Sequence, residues 1–273
     1  MWPDLDRQPR ADDEPYGWWG FGWEVPQPLS VVDLLAAGNF DARTAALLWL
    51  LIGSRASIVV AADPSGAGKT TTLTALGDFL PRDTARIYLR GWSETFDFLD
   101  TADPARSYLL CNEISAHLPV YLWGRRVRQL FDAFARGFAF GATMHADTPD
   151  EVIAILADFP LYVPLPAIAR LDLVLTLAVD DGADRPRRRL DRLVLLRRTG
   201  SGAALDPVEL AWWDTQVGGV VVGDAMPPGV LRRTGLAAEA FAEEWARRAA
   251  FLDLLTAQGP RDRASVRRQI DDF

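Results

Sequence analysis

The stretch that decides the fold is SIVVAADPSGAGKTTTLT, residues 57–74. SIVVAA (57–62) is an apolar run of strand length, DPSGAGK (63–69) reads as a turn, and the TTTLTALGDFL that follows has helical spacing. A buried strand that enters a Gly-containing turn and leaves it through Lys-Thr into a helix is the context expected of a phosphate-binding loop. Gly66 and Gly68 let backbone N–H groups turn inward around phosphate oxygens, where a Cβ would intrude. A helix starting near Lys69 aims its free N–H groups and its dipole at the same anion. On this reading Ser65, Gly66, Ala67, Gly68, Lys69, Thr70 and Thr71 hold ATP. Lys69 reaches the β- and γ-phosphates as a point charge, and Thr70 ligates Mg²⁺. The pattern G-x-x-x-x-G-K-[ST] requires Gly at position 63, where this chain has Asp63. Asp tolerates unusual backbone angles better than most residues.

The composition singles out the same lysine. Of 29 basic residues 28 are arginine, and Lys69 is the one lysine. In a chain that has drifted so far towards arginine, a retained lysine marks a position where the larger planar guanidinium does not substitute. The 37 acidic residues give a net charge of -8. That balance argues against a protein that coats nucleic acid, and no direct nucleic-acid contact is expected. Apolar residues make up 49% of the 273, enough for a sizeable core. No apolar run is long enough to span a bilayer, and the acidic, Pro-containing start MWPDLDRQPRADDEP does not resemble a signal peptide. The lone cysteine, Cys111, excludes an internal disulfide and a cysteine-based zinc site. A cytoplasmic location is expected.

Outward from the loop, LSVVDLLAAG (29–38) reads as a short helix. Asp41 caps a second, ARTAALLWLLIG (42–53), with Gly53 as its stop. RIYL (86–89), SYLLC (107–111) and FAFGATMH (138–145) read as strands. Helices are expected from about Tyr121 to Arg136, and from Thr148 or Asp150 to about Phe159. This alternation predicts an α/β fold with a mostly parallel sheet covered on both faces. DLVLTLAV (172–179) and LDRLVLLRR (190–198) then predict a small β-hairpin, with Arg187–Arg189 in its solvated tip. Short strands are expected at 208–213 and 219–223, and amphipathic helices at 236–257 and 262–271, the last starting at Asp262. The chain divides into an acidic, Trp-rich arm (1–28), an ATPase domain (29–200) and a C-terminal strand and helical region (201–273). The arm is expected to pack Trp18, Trp19 and Trp23 onto the domain surface.

Two strand ends carry further chemistry. SYLLCNEIS puts Glu113 at a carboxyl edge, where an open α/β sheet places its ligands, as candidate water-activating base. FAFGATMHAD puts Thr143 and His145 at another such edge, with His145 as candidate γ-phosphate sensor; His117 is a weaker candidate.

The order of phosphate loop, NE after an apolar strand and GFAFGATMHAD resembles the ATPases of type II and type IV secretion systems, the motors of type IV pili, archaella and related machines. Residues 28–200 and the tail 241–273 carry this resemblance. It implies a RecA-like P-loop core and a homo-oligomer, usually a hexamer with ATP between subunits. It further implies docking on a polytopic membrane platform at the inner face of the cell membrane. It assigns ATP and Mg²⁺ to Lys69 and Thr70, water activation to Glu113 and γ-phosphate sensing to His145. About 28 residues precede the core region, where the family carries a large N-terminal domain. In the family's acidic box Arg90 and Gly91 replace the first two acids, and Glu94 remains as a candidate catalytic acid. Asn112 replaces the Gly before Glu113, and Ser115 replaces an Arg. An arginine finger is expected, with Arg90 favoured over Arg82, Arg86 and Arg106. Two alternatives stand beside a motor: a non-catalytic nucleotide-binding subunit, and a P-loop kinase with HLPVYLWGRRVRQ (117–129) as its lid.

Overall fold

The computed structural model describes residues 14, 17–19, 28–180, 186–199, 204–223, 225–260 and 262–273. Trp23, the start of the arm and residues 181–185, where the sequence predicts the hairpin loop, lie outside the described residues.

The apolar run becomes β1 (Ile58–Ala61), buried at all four positions. It lies inside one eight-stranded sheet of order β2-β3-β4-β1-β5-β6-β7-β8. The other strands are β2 (Ala85–Tyr88), β3 (Ser107–Ile114), β4 (Ala139–Met144), β5 (Leu173–Asp180), β6 (Arg187–Thr199), β7 (Ala204–Asp214) and β8 (Gly219–Val222). The first five in spatial order run parallel, and β6, β7 and β8 continue the sheet as an antiparallel meander. From β1 the chain passes to β2 and β3 on one side, and later crosses from β4 to β5 on the other. Such a reversal opens a crevice at the carboxyl ends of the strands.

Alternation along each parallel strand feeds two cores. Ile58, Val60, Leu173 and Leu175 face one, whereas Val59, Ala61 and Val174 face the other. The first is covered by α1 (Val31–Ala36), α2 (Ala42–Gly53), α3 (Lys69–Leu76) and α8 (Ala238–Gln258). The second is covered by α4 (Arg125–Ala135), α5 (Pro149–Ala157) and α6 (Leu165–Ile168). Two short helices complete the chain, α7 (Pro228–Thr234) and α9 (Arg263–Asp272). Burial on both faces explains why these strands read as continuous apolar runs.

Several helix ends follow their sequence signals. Asp41 accepts from Thr44 N and Asp262 from Ser265 N, each at the expected N-cap. Two ends differ. α2 runs through Gly53, and the left-handed residue that turns the chain is Arg55 (φ 58°). α4 begins at Arg125 rather than near Tyr121, because the preceding loop is bonded to the end of β3. Leu122 N donates to Glu113 O (2.8 Å) and Ser115 N to Leu122 O (3.1 Å). Of the described arm residues, Trp18 packs onto the domain as expected and is 2% exposed. Its indole packs edge-on against Tyr88 at 4.8 Å, and Asn112 Nδ2 donates to its carbonyl.

Two contacts fix α3, the helix that follows the Gly66–Gly68 turn. Gly141 on β4 sits beneath it, where a Cβ would come within 2.6 Å of Leu73 Cδ1. At its far end buried Asp78 receives Arg263 Nε (2.9 Å) and Nη2 (3.0 Å) from α9.

Candidate active site

The turn after β1 behaves as its glycines predict. Gly66 and Gly68 have φ of 76° and 91°, values an L side chain rarely adopts. Gly68 is the N-cap of α3 and brings no side-chain cap, so the first N–H groups of the helix stay available to a ligand. Residues Ser65 to Thr71 line a cleft of about 680 Å³, together with Glu113, His145, Tyr121, Arg187 and Arg188. The left-handed glycines, uncapped helix start and lysine fit a polyphosphate, and Thr70 at this wall fits the Mg²⁺ that accompanies one.

Three candidate side chains converge here, because the parallel strands β3 and β4 end at the same edge as the turn that leads into α3. Lys69 is 6% exposed and donates from Nζ to Ala62 O at 3.0 Å. Burial lowers its pKa from the ordinary lysine value, and the nearby carboxylates of Glu113 and Asp63 work against that shift. Lys69 Nζ lies 3.4 Å from His145 Nδ1, and His145 Nε2 lies 3.4 Å from Glu113 Oε1. His145 Nδ1 is also 2.7 Å from Asp63 O, so the residue that departs from the loop consensus supports the histidine through its backbone. Glu113 is 5% exposed, and its Oε1 has no hydrogen-bond partner. His117 stands beside His145, their rings 5.9 Å apart and edge-on.

Glu94 and Arg90 do not join this cluster. Glu94 is buried in the loop after β2, where Oε2 accepts from Arg90 N (2.9 Å) and Oε1 from Phe96 N (2.7 Å). Arg90 is buried beside it. Of the other arginines considered, Arg86 contacts Asp78 at 4.0 Å and Arg106 contacts Asp83 at 3.2 Å. Arg82 is exposed and lines a different cavity.

Among the described residues the arginines that line the cleft are Arg187 and Arg188; both are exposed, as a solvated tip predicts, but they stand in β6 beside the Gly66–Gly68 turn. They open β6, and Arg188 Nε donates to Gly66 O at 2.6 Å. Arg189 lies over the Trp213 ring at 4.6 Å. The reason is topological. β5 runs parallel to β1, so the hairpin that follows it overhangs the carboxyl edge where the phosphate loop lies. As sequence, 172–179 reads as one arm of a hairpin and is not joined to the parallel sheet, so the position of the arginine run over that edge was missed.

No protein-family model matches the chain. An uncharacterized protein of Methanocaldococcus jannaschii is 29% identical over 168 residues, covering 52% of this chain and 59% of that protein. Among solved structures, the chain is similar to the VirB11 ATPase from the Brucella suis type IV secretion system, crystallised in complex with sulphate. The identity is 18% and the TM-score 0.43, over 60% of this chain and 54% of that one. The chain thus spans a little over half the length of each of these proteins.

Proposed function

We propose that this chain is a P-loop ATPase of the secretion type, which converts ATP and water to ADP and phosphate and couples that reaction to a change of conformation. The observation that carries the reading is the continuous line Lys69–His145–Glu113 along one wall of the cleft, with contacts of 3.4 Å at each step. Ser65 to Thr71 would wrap the phosphates, and Lys69 would hold the β- and γ-oxygens. Thr70 would ligate Mg²⁺, which when bound neutralises phosphate charge. Glu113 would accept a proton from the attacking water, and His145, held by Asp63 O, would report the γ-phosphate to the sheet. Catalysis of this kind rests on positioning and charge stabilisation. The arginines that line the cleft, Arg187 and Arg188, reach it in cis; Arg90 remains a proposed finger only towards a neighbouring subunit. By the resemblance of its motifs the chain would act in the cytoplasm as a homo-oligomer, a hexamer in the resembling family, against a membrane platform protein. Among the described residues no helix is long and apolar enough to cross a membrane. Light scattering with and without ATP tests the assembly.

The second reading is a non-catalytic nucleotide-binding subunit. It is favoured by Glu94, whose two oxygens are both engaged by its own loop. Phosphate release and ATP binding, measured in the wild type and in Glu113→Gln, separate the two readings. A motor loses turnover and keeps binding in the variant. A wild type that binds ATP and turns over no faster than the variant overturns the motor. The kinase alternative finds less support, because the loop at 117–123 is tied to the end of β3 by Leu122 rather than hinged over the cleft.

A further inference from the structure

Glu113, His117 and His145 each bring one ligand-capable atom to within 4.8 Å of the others. Hydrolysis as proposed above has no use for His117, and it leaves one feature of Glu113 unexplained. A buried carboxylate oxygen without a hydrogen-bond partner is costly, and Glu113 Oε1 is one. What faces it is Nε2 of His145, at 3.4 Å. His145 Nδ1 lies 2.7 Å from Asp63 O, a carbonyl that can only accept, and 3.4 Å from Lys69 Nζ, an ammonium that can only donate; the shorter contact favours hydrogen on Nδ1. On the neutral ring Nε2 is then an acceptor, 3.4 Å from Glu113 Oε1. Two acceptors at that distance require a proton or a cation between them.

The surroundings favour a metal cation. Zinc bonded to nitrogen and oxygen at about 2.0–2.1 Å in a tetrahedron holds its donor atoms about 3.4 Å apart. That matches the Nε2–Oε1 separation of 3.4 Å. A metal-bound histidine ordinarily gives its other N–H to a carbonyl or carboxylate, which fixes ring and tautomer; Asp63 O does this for His145. An imidazolium–carboxylate pair would need no third group, yet His117 supplies one, with its loop pinned by the bond from His117 N to Ser115 Oγ at 3.2 Å. His117 is exposed, which gives an ion a route from solvent.

We propose that Glu113, His117 and His145 form a binding site for one divalent transition-metal ion of the zinc class, separate from the Mg²⁺ assigned to Thr70. Two imidazoles and one carboxylate suit Zn²⁺ and its first-row neighbours rather than Mg²⁺ or Ca²⁺, which take oxygen. Three protein ligands leave a fourth position for water or a phosphate oxygen. An ion here engages the Glu113 carboxylate, so a filled site and Glu113 as a free base exclude one another.

The test is metal binding to the full chain, stripped with a chelator and free of nucleotide, so its outcome does not depend on whether the cleft hydrolyses ATP. Co²⁺ is titrated first and read by its visible absorption; Zn²⁺ then displaces it and is measured by calorimetry. One ion per chain is expected, with the intense band of a four-coordinate Co²⁺. His117→Ala and His145→Gln should each weaken Zn²⁺ binding by about tenfold or more, since even outer-sphere partners of metal ligands contribute 10–100-fold. His117 is exposed, so the metal-free His117→Ala chain should melt at the wild-type temperature. Absence of binding overturns the proposal, and so does binding that neither variant weakens.

Discussion

Glu94 and Glu113 are both glutamates of a loop or strand end on the carboxyl side of the sheet, and both are buried, at 4% and 5% exposure. They differ in what their oxygens meet. Glu94 is held by two backbone N–H groups of its own loop, from Arg90 and Phe96. Glu113 presents Oε1 to His145 across 3.4 Å and has no hydrogen bond there. A buried carboxylate whose bonds are made closes a loop; one with an open oxygen is poised for a ligand, a proton or an ion. The comparison therefore separates a carboxylate engaged by its own loop from one open towards the cleft, at nearly equal burial.

The sharpest way to break it is Glu113→Gln. The amide keeps shape and removes a carboxylate whose Oε1 makes no hydrogen bond, although Lys69 and His145 lie near it. Turnover should fall by about 10²–10⁴-fold, the usual contribution of a positioned base. Thermal stability should stay level or rise, because a buried carboxylate oxygen without a bonded partner is removed. Phosphate release and a melting curve on the same sample check both. A marked loss of stability in Glu113→Gln would put the two glutamates in one class.

Asp78 extends the comparison to a carboxylate whose partner comes from far along the chain. At 2% exposure it is bonded twice to Arg263, with Arg267 and Arg86 near 4 Å. Arg263→Ala leaves that charge short of its bonded partner. A loss of about 3 kcal/mol is expected in denaturant unfolding, the low end for a broken buried pair because two arginines remain close. For Glu94→Gln the expected loss is about 2 kcal/mol, since one charge-assisted bond becomes an N–H facing an N–H. Turnover per folded molecule should be unchanged in Glu94→Gln. A fall in turnover without a fall in stability would return Glu94 to the catalytic acids.

The parts of the site legible in the sequence were those set by local pattern. The apolar run, the two glycines and Lys69 lie within thirteen residues, and strand, left-handed turn and helix follow from them directly. Glu113 and His145 were legible because each ends an apolar run, and parallel strands end at one edge. The role of Glu94 was not legible. Its partners are backbone N–H groups, which every loop has and no sequence distinguishes. The resemblance to an acidic box pointed to Glu94 as a catalytic acid; in the loop its oxygens accept from Arg90 N and Phe96 N. The cover of Trp18, Tyr88 and Thr74, was not legible because it lies 56 or more residues away. The open oxygen of Glu113 depends on which nitrogen of His145 meets Asp63 O, a matter of three-dimensional placement alone.

Arg188 carries the smallest expected effect and tests the same distinction for cations. Arg263 is held between two oxygens of a buried carboxylate, so its charge is matched within the fold. Arg188 is exposed, touches the phosphate loop through one bond from Nε to Gly66 O, and lays its Cδ 3.2 Å from where a Cβ on Gly68 would stand. One bond to a carbonyl uses a single donor of the five a guanidinium carries. If the remaining donors face bound phosphate, Arg188→Ala should weaken ATP binding by about tenfold, near 1.4 kcal/mol, the lower range for a charge-assisted hydrogen bond. Stability without nucleotide should move by less than about 0.5 kcal/mol, as for most exposed positions. Arg188→Lys separates charge from shape. A lysine keeps the charge and loses the fork, so recovered affinity in that variant would assign Arg188 a long-range electrostatic role, and continued weakness would assign it a directed contact with the phosphates.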